Sequence, residues 1–132
     1  MRILLDTQAW LWMLMGPERF SLYALGIVED ASNELVLSAA SAWEIGIKHE
    51  LGRLELPGAP ESVIPDLMLR SGVEALPISH AHTLRASTLP PYHRDPFDRL
   101  LVAQAQMEGV PILTADSQIP LYDVDVIPAE GP

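Results

Sequence analysis

Short apolar runs alternate along this chain with longer stretches of helical periodicity, and this alternation limits the possible folds most strongly. The apolar runs have the length of buried strands and end at turn-forming or helix-capping residues. They occupy residues 2–5, 35–38, 73–78, 110–114 and 124–127. Strands that alternate with helices build a parallel sheet covered by helices on both faces. We therefore expect an α/β fold with a central parallel sheet of four to five strands.

The intervening stretches repeat their apolar residues at helical spacing. Helices are predicted over 8–15, 21–31, 41–51, 61–70, 79–87 and 96–108. Asp95 and Pro96 form a strong helix start, because Asp caps and Pro suits the first helical position. Pro65 should bend or shorten the helix that contains it.

Composition narrows the class of protein. The 132 residues are the usual size of one domain, and 48% of them are hydrophobic. Cysteine is absent, which excludes disulfides, thiolate metal sites and cysteine nucleophiles. We find neither a membrane-spanning run nor a signal peptide, so we expect a single cytoplasmic domain over residues 1–132. The net charge of −10 disfavours simple coating of a phosphate backbone unless cations, a basic patch or a partner intervene.

Two Asp residues follow predicted strands at the edge of the sheet where ligands bind. Asp6 comes directly after the first apolar run, and Asp116 lies two residues beyond Thr114, where the fourth run ends. Ligands of parallel sheets gather beyond the carboxyl ends of the strands. Asp is also a common cap of a following turn or helix, and capping explains each residue well when it is taken alone.

Two further acids lie on predicted helices beside apolar residues. Glu44 borders a stripe that includes Ala40 and Trp43, and Asp98 lies one turn before Leu101. A carboxylate that faces a core is costly unless it is paired or binds a metal.

Each helix acid also has an ordinary structural interpretation. Glu44 can pair with Lys48 one turn later on the same helix. Asp98 can close a capping box behind Asp95 and interact with the helix dipole. Function and structure explain each of these acids about equally well.

The four acids together favour a metal site. If Asp6, Glu44, Asp98 and Asp116 converge, their like charges make the pocket unstable without cations. Oxygen ligands without cysteine favour Mg²⁺ or Mn²⁺ over Zn²⁺. Two such ions about 3.5–4 Å apart form an arrangement that cleaves phosphodiester bonds.

Four segments of the chain have an order and spacing that are specific when taken together. They are LLDTQAWLW at 4–12, SAASAWEIGIKHELGRL at 38–54, HRDPFDRLLVAQA at 93–105 and ILTADSQI at 112–119. The series resembles that of PIN-domain ribonucleases, and more closely that of VapC-type toxins of type II toxin–antitoxin systems. The resemblance extends over most of the chain, from residue 2 to about residue 127.

The resemblance implies a three-layer α/β/α PIN-like sandwich and endonucleolytic cleavage of RNA that depends on Mg²⁺ or Mn²⁺. The implied catalytic and metal-binding residues are Asp6, Glu44, Asp98 and Asp116. The implied supporting residues are Thr7, Thr114 and Asp95, the last of them first of all a helix cap.

The resemblance also implies partners, namely an RNA substrate, a second copy of the chain and a cognate antitoxin that fills the cleft. Apolar interface candidates, with the core as the alternative location, are Trp10, Trp12, Met13, Met15 and Phe20. Basic residues are scarce, and Lys48, Arg94 and Arg99 are the candidate RNA contacts. This scarcity favours a small structured RNA, such as a tRNA, over indiscriminate binding.

Three other interpretations remain open. A catalytically silent PIN-like domain could serve only to bind a partner. A phosphatase of the haloacid-dehalogenase type needs a second Asp where this chain has Gln8, and a phospho-acceptor domain needs a Lys after a late strand, whereas the only Lys is Lys48.

The four histidines are expected to be solvated or capping residues rather than ligands. Trp43 is expected to anchor its helix to the sheet, with base stacking as the alternative.

Overall fold

The computed structural model describes residues 1–131, so the last residue of the predicted 1–132 domain lies outside it. Its centre is a five-stranded sheet with the order β3-β2-β1-β4-β5, and all four strand pairs are parallel. The strands are β1 (Arg2–Leu5), β2 (Glu34–Ser38), β3 (Val73–Leu76), β4 (Ile112–Thr114) and β5 (Val126–Pro128). The predicted α/β class and parallel sheet are confirmed, including the fifth strand.

Six helices connect and cover the strands. They are α1 (Thr7–Met15), α2 (Leu22–Glu29), α3 (Ala39–Glu50), α4 (Pro60–Ser71), α5 (His80–Thr88) and α6 (Pro96–Glu108). Asp95 caps α6 as predicted, and Gly109 ends it in the left-handed conformation that glycine adopts without a Cβ penalty. Pro65 does not shorten α4, which continues through it to Ser71.

Both faces of the sheet are buried, as the continuous apolar runs require. Successive residues of β1 point to opposite sides, so Ile3 and Leu5 join one apolar cluster and Leu4 joins the other. Residues of α1, α2 and α4 complete the first cluster, and residues of α6 complete the second. The arrangement is the predicted three-layer α/β/α sandwich.

Strand β2 passes directly into α3, which therefore begins two residues before the predicted start at Ser41. The hydroxyl of Ser38, the last residue of the strand, accepts a hydrogen bond from the backbone N–H of Ala40 at 3.0 Å and caps the helix. No loop separates the two elements, so residues on the first turns of α3 lie close to the carboxyl edge of the sheet.

Among residues 1–131, none of the helices combines the length and the apolar character that crossing a bilayer requires.

Candidate metal centre

The end of β1 places Asp6 beside the neighbouring strand β4. One carboxylate oxygen of Asp6 accepts backbone N–H groups from Gln8 at 2.7 Å and Ala9 at 3.2 Å, which caps α1. The other oxygen accepts the hydroxyl of Thr114, the last residue of β4. Burial raises the pKa of Asp6 and outweighs these hydrogen bonds, and the charge of Asp116 raises it further. Asp6 is thus both a cap and a member of the acidic group.

The two carboxylate oxygens of Asp116 also have separate partners. Oδ1 accepts the N–H groups of Gln118 at 2.7 Å and Ile119 at 3.0 Å, while Oδ2 lies 3.1 Å from the ring Nε2 of His93. Partial burial would raise the pKa of Asp116, but these hydrogen bonds hold it below its usual value. The N–H of Asp116 also donates to Thr114 Oγ1 at 2.9 Å, so one threonine hydroxyl links both strand-end acids.

Glu44, on α3, lies beside these two acids at the carboxyl edge of the sheet. Its Oε2 pairs with Lys48 Nζ at 3.2 Å, the ordinary interaction considered from the sequence. Its Oε1 is buried and has no hydrogen-bond partner within the described chain. A buried carboxylate oxygen without a donor is costly, so the ion pair alone does not account for this position.

Asp98, in the first turn of α6, lies at the same edge of the sheet, and its side chain is 15% exposed. It does not close the predicted capping box, because the N–H of Asp95 donates instead to His93 Nδ1 at 3.1 Å. Asp95 Oδ1 caps the helix by accepting the N–H of Phe97 at 2.8 Å. Burial, followed by the charges of Asp95, Asp6, Asp116 and Glu44, raises the pKa of Asp98 to about 8.

These acids surround one open cavity of about 310 Å³. The residues that line it are Asp6, Thr7, Gln8, Glu44, Lys48, Asp95, Asp98, Ala115 and Asp116. All four predicted catalytic acids, together with Thr7 and Asp95, therefore meet at the carboxyl edge of the sheet. Thr7 donates its hydroxyl to Ser41 at 2.9 Å and ties α1 to α3 behind the cavity. Gln8 offers an amide where a dehalogenase-type phosphatase would need its second carboxylate.

His93 is the site residue that the sequence reasoning missed. Its Nε2 lies 3.0 Å from Asp98 Oδ2 and 3.1 Å from Asp116 Oδ2, and its side chain is 12% exposed. One ligand atom from each of these three residues falls within 4.8 Å of the others. The expectation of a solvated histidine is therefore wrong for this residue, whose ring faces two site acids. Its position two residues before the cap of α6 is a weak signal, since the contacts with these acids are tertiary.

The predicted RNA-contacting residues differ in their surroundings. Lys48 lines the cavity, and Arg94 is exposed on the loop that precedes α6. The guanidinium of Arg99 instead donates to backbone carbonyls at the end of α5 and in the loop after it, including Ala86 at 2.8 Å and Leu89 at 3.0 Å. This geometry favours a structural role for Arg99, holding the α5–α6 loop, over the predicted RNA contact.

Trp43 does not anchor α3 to the sheet as predicted. It is 64% exposed, and its ring meets Phe97 edge-on at 5.2 Å between centroids. The buried residues of α3 are Ala40, Ser41 and Ile45. Each ring of the aromatic pair belongs to the residue directly before a site acid, since Glu44 follows one and Asp98 the other.

The residues present fit a divalent cation. The donors are oxygen-rich, which suits Mg²⁺ and Mn²⁺, and the unpartnered Glu44 Oε1 is an anionic ligand without a donor. Burial and, after it, the neighbouring carboxylates raise the pKa of Asp98, so the ionised form of this carboxyl is unfavourable without added positive charge. The arrangement can therefore gather cations and present them to an anionic substrate at the open side of the cavity.

The sequence of this chain matches one known family over nearly its whole length. Residues 3–126 match the PIN domain, so the chain belongs to the PIN-domain family. This membership agrees with the sandwich fold, and it disfavours the phosphatase and phospho-acceptor interpretations.

Part of the chain is also similar to one individual protein. A 66-residue segment is 50% identical to Ribonuclease VapC16 of Mycobacterium tuberculosis, covering 48% of this chain and 47% of that protein. The chain thus spans about half the length of the curated relative it matches. The resemblance to VapC-type PIN domains is confirmed.

Solved structures share the fold at low sequence identity. The structure of VapBC2 from Rickettsia felis bound to a promoter DNA fragment aligns with a TM-score of 0.70 at 14% identity, covering 96% of this chain and 98% of the other. VapBC-1 from nontypeable Haemophilus influenzae aligns with a TM-score of 0.64 at 18% identity, covering 96% and 97%.

Proposed function

We propose that this protein is a metal-dependent endoribonuclease that acts as the toxin of a type II toxin–antitoxin pair. The observation that carries the proposal is the convergence of Asp6, Glu44, Asp98 and Asp116 on one open cavity of a PIN domain. The free Oε1 of Glu44 and the raised pKa of Asp98 support a cation as the missing partner.

In this proposal the four acids hold Mg²⁺ or Mn²⁺. The bound cation supplies an activated water for attack on a phosphodiester bond and positive charge at the leaving oxygen. The hydroxyl of Thr114 donates to the carboxylate of Asp6 and accepts the backbone N–H of Asp116, so it fixes the Asp6 carboxylate and the backbone that carries Asp116. Asp95 and Thr7 fix the helix starts from which the other acids project. Lys48 neutralises part of the charge of Glu44 and lies within reach of a phosphate in the cavity.

RNA is the proposed substrate, and a small structured RNA such as a tRNA is its proposed class. The ribonuclease name of the half-length relative supports RNA. Lys48 and Arg94 are the proposed phosphate contacts, while Arg99 already donates to backbone carbonyls at the end of α5 and in the loop after it. The exposed ring of Trp43 offers a stacking surface beside Glu44.

A cognate antitoxin, a second copy of the chain and a cytoplasmic location complete the proposal. Structural neighbours described as VapBC or toxin–antitoxin complexes support a protein partner. Of the predicted apolar interface residues, Trp10, Trp12 and Phe20 are buried in the core and Met15 is exposed. Leu22 and Tyr23, at the start of α2, are further exposed apolar side chains, at 88% and 69%. Light scattering after size-exclusion chromatography measures whether the purified chain is a dimer.

A cleavage assay tests the central proposal. Purified protein without any partner is incubated with total RNA in Mg²⁺, in Mn²⁺ and in EDTA, as wild type and as Asp6→Asn and Asp98→Asn. Asp66→Asn is the matched control, because that exposed acid pairs with Arg70 on α4 and does not line the cavity. We expect cleavage by wild type and control only, and none in EDTA. Equal cleavage by all four proteins would reject the site, and no cleavage by any would favour the partner-binding interpretation.

A further inference from the structure

His93 occupies a central position among the proposed metal ligands. Its Nε2 lies within 3.1 Å of carboxylate oxygens from both α6 and the segment after β4. These two acids, Asp98 and Asp116, come from different elements, and the imidazole ring is the group that joins them directly.

The surrounding hydrogen bonds determine which ring nitrogen carries the proton. The backbone N–H of Asp95 donates to Nδ1 at 3.1 Å, and a backbone N–H can only donate. Nδ1 must therefore present its lone pair, so the proton of the neutral ring lies on Nε2. The Nε2–H group then points at the two carboxylates and can donate to either of them.

The backbone on either side of the ring is also held in place. The N–H of His93 donates to the hydroxyl oxygen of Tyr122 at 2.8 Å, and that hydroxyl donates to the carbonyl of Pro90 at 2.7 Å. The carbonyl of His93 accepts from the guanidinium of Arg99 at 3.4 Å. These hydrogen bonds hold the loop that carries the ring, so the direction of the Nε2–H group is fixed.

We propose that His93 is a positioning residue that orients Asp98 and Asp116 through its Nε2–H group and is not itself a metal ligand. The proposal rests on the proposed function, since it assigns those two acids to the cation. A nitrogen that carries a proton has no lone pair to offer a cation. Ligation through Nε2 would require the proton to move to Nδ1, which would leave the N–H of Asp95 facing another donor at the start of α6.

The role has a measurable consequence for cation affinity. Groups that hydrogen-bond to metal ligands typically change affinity by about 10- to 100-fold when they are removed. His93→Ala removes the donor and leaves two carboxylates free to move apart. His93→Gln keeps an N–H donor at comparable reach but cannot reproduce an imidazole ligand.

Two measurements on the full chain test the inference. Long-range ¹H–¹⁵N NMR of histidine-labelled protein in EDTA, and again in Mg²⁺, reports which ring nitrogen holds the proton, and His93→Gln identifies the signal. Calorimetric titration with Mg²⁺ compares wild type, His93→Ala, His93→Gln and the control His80→Ala, whose side chain is exposed, and the wild type is also titrated with Mn²⁺.

We expect the proton on Nε2 in both conditions, about 10- to 100-fold weaker Mg²⁺ binding by His93→Ala, and recovery to within a few-fold in His93→Gln. Loss of the Nε2 proton in Mg²⁺ would overturn the inference in favour of direct ligation. Unchanged binding by His93→Ala would also overturn it while leaving the proposed function intact. Absence of Mg²⁺ and Mn²⁺ binding by the wild type would instead overturn the proposed function.

Discussion

Replacing Asp98 by Asn is expected to stabilise the metal-free protein at neutral pH. The substitution keeps the size of the side chain and removes a carboxyl that burial and four neighbouring acids make unfavourable when it is ionised. The folded chain holds a proton on Asp98 up to about pH 8, whereas the unfolded chain releases it near the ordinary value of 3.8. The wild type therefore loses stability as pH rises through this window, because the folded state binds the additional proton.

The size of the effect follows from the two pKa values. The interval from the unfolded pKa of 3.8 to neutral pH is about three pH units. At about 1.4 kcal/mol of unfolding free energy per unit, the wild type loses about 4 kcal/mol over this interval. The cavity opens to solvent, which screens the repulsion, so we expect a measured gain of about 2 kcal/mol in Asp98→Asn. Below the unfolded pKa, Asp98 is protonated in both states and the gain disappears.

Urea denaturation in EDTA, at pH values from about 4 to about 8, measures the effect, with Asp66→Asn as the control. The gain of Asp98→Asn over wild type should grow with pH, while the control, whose acid is exposed on α4, should remain close to wild type. A gain that is absent throughout, or that grows as pH falls, would refute the reasoning. Added Mn²⁺ should then stabilise the wild type more than the variant, because the variant has lost a ligand.

Three further substitutions examine the rest of the site. Thr114→Val removes the hydroxyl that donates to the buried Asp6 carboxylate and accepts the half-buried N–H of Asp116, and leaving these groups unsatisfied should cost about 1–3 kcal/mol of unfolding free energy, measured by urea denaturation. Trp43→Ala should change stability little, since the ring is exposed, but lower RNA affinity by about 5- to 100-fold in a fluorescence anisotropy titration if the ring stacks on a base. Arg94→Ala should reduce the slope of log affinity against log salt by about 1 if that exposed guanidinium contacts a phosphate.

Each of these has a control of the same chemical kind away from the cavity. Thr88→Val removes an exposed hydroxyl, Leu84→Ala truncates an exposed apolar side chain, and Arg70→Ala removes an exposed guanidinium on α4. Both RNA titrations use the Asp98→Asn background, so that cleavage does not consume the ligand. Equal losses in a variant and in its control would reject the assigned contact.

The convergence of the four acids was a hypothesis from the sequence, and local rules determine the positions of three of them. Asp6 and Asp116 follow apolar runs that must be buried strands, and parallel strands bring their carboxyl ends to one edge. Asp98 lies one turn into a helix whose start Asp95 and Pro96 determine. Periodicity and capping are short-range properties, so the sequence reports them directly.

The place of His93 could not be predicted by the same means. The residue lies in a proline-rich loop without periodicity, and its partner Asp116 is 23 positions further along the chain. The loop takes its course from Arg99 and Tyr122, which bind its carbonyls from separate elements. Such tertiary contacts leave no local pattern.

The apolar stripe predicted for α3 is right for Ala40, which is buried, and wrong for Trp43, which is exposed. The helix buries its small residues Ala40 and Ser41 and the larger Ile45, so that it can approach the sheet edge closely, while Trp43 projects outward. Glu44 still faces the cavity, because Ala40 lies one turn before it on the buried side. The sequence placed Ala40 and Trp43 on one apolar face, but the space at the sheet edge, where α3 follows β2 without a loop, is filled by the small residue and not by the ring.

The acidic character of the chain is consistent with the proposed handling of RNA once the order of binding is considered. The cavity collects five carboxyl groups and one lysine, so without a cation it repels a phosphate. The proton on Asp98 relieves only part of this charge. In the proposed function, cations held by Asp6, Glu44, Asp98 and Asp116 would have to offset this charge before a phosphodiester could enter. The acids of the cavity would thereby couple RNA binding to cation binding, so the net charge of −10 does not argue against a nucleic-acid substrate.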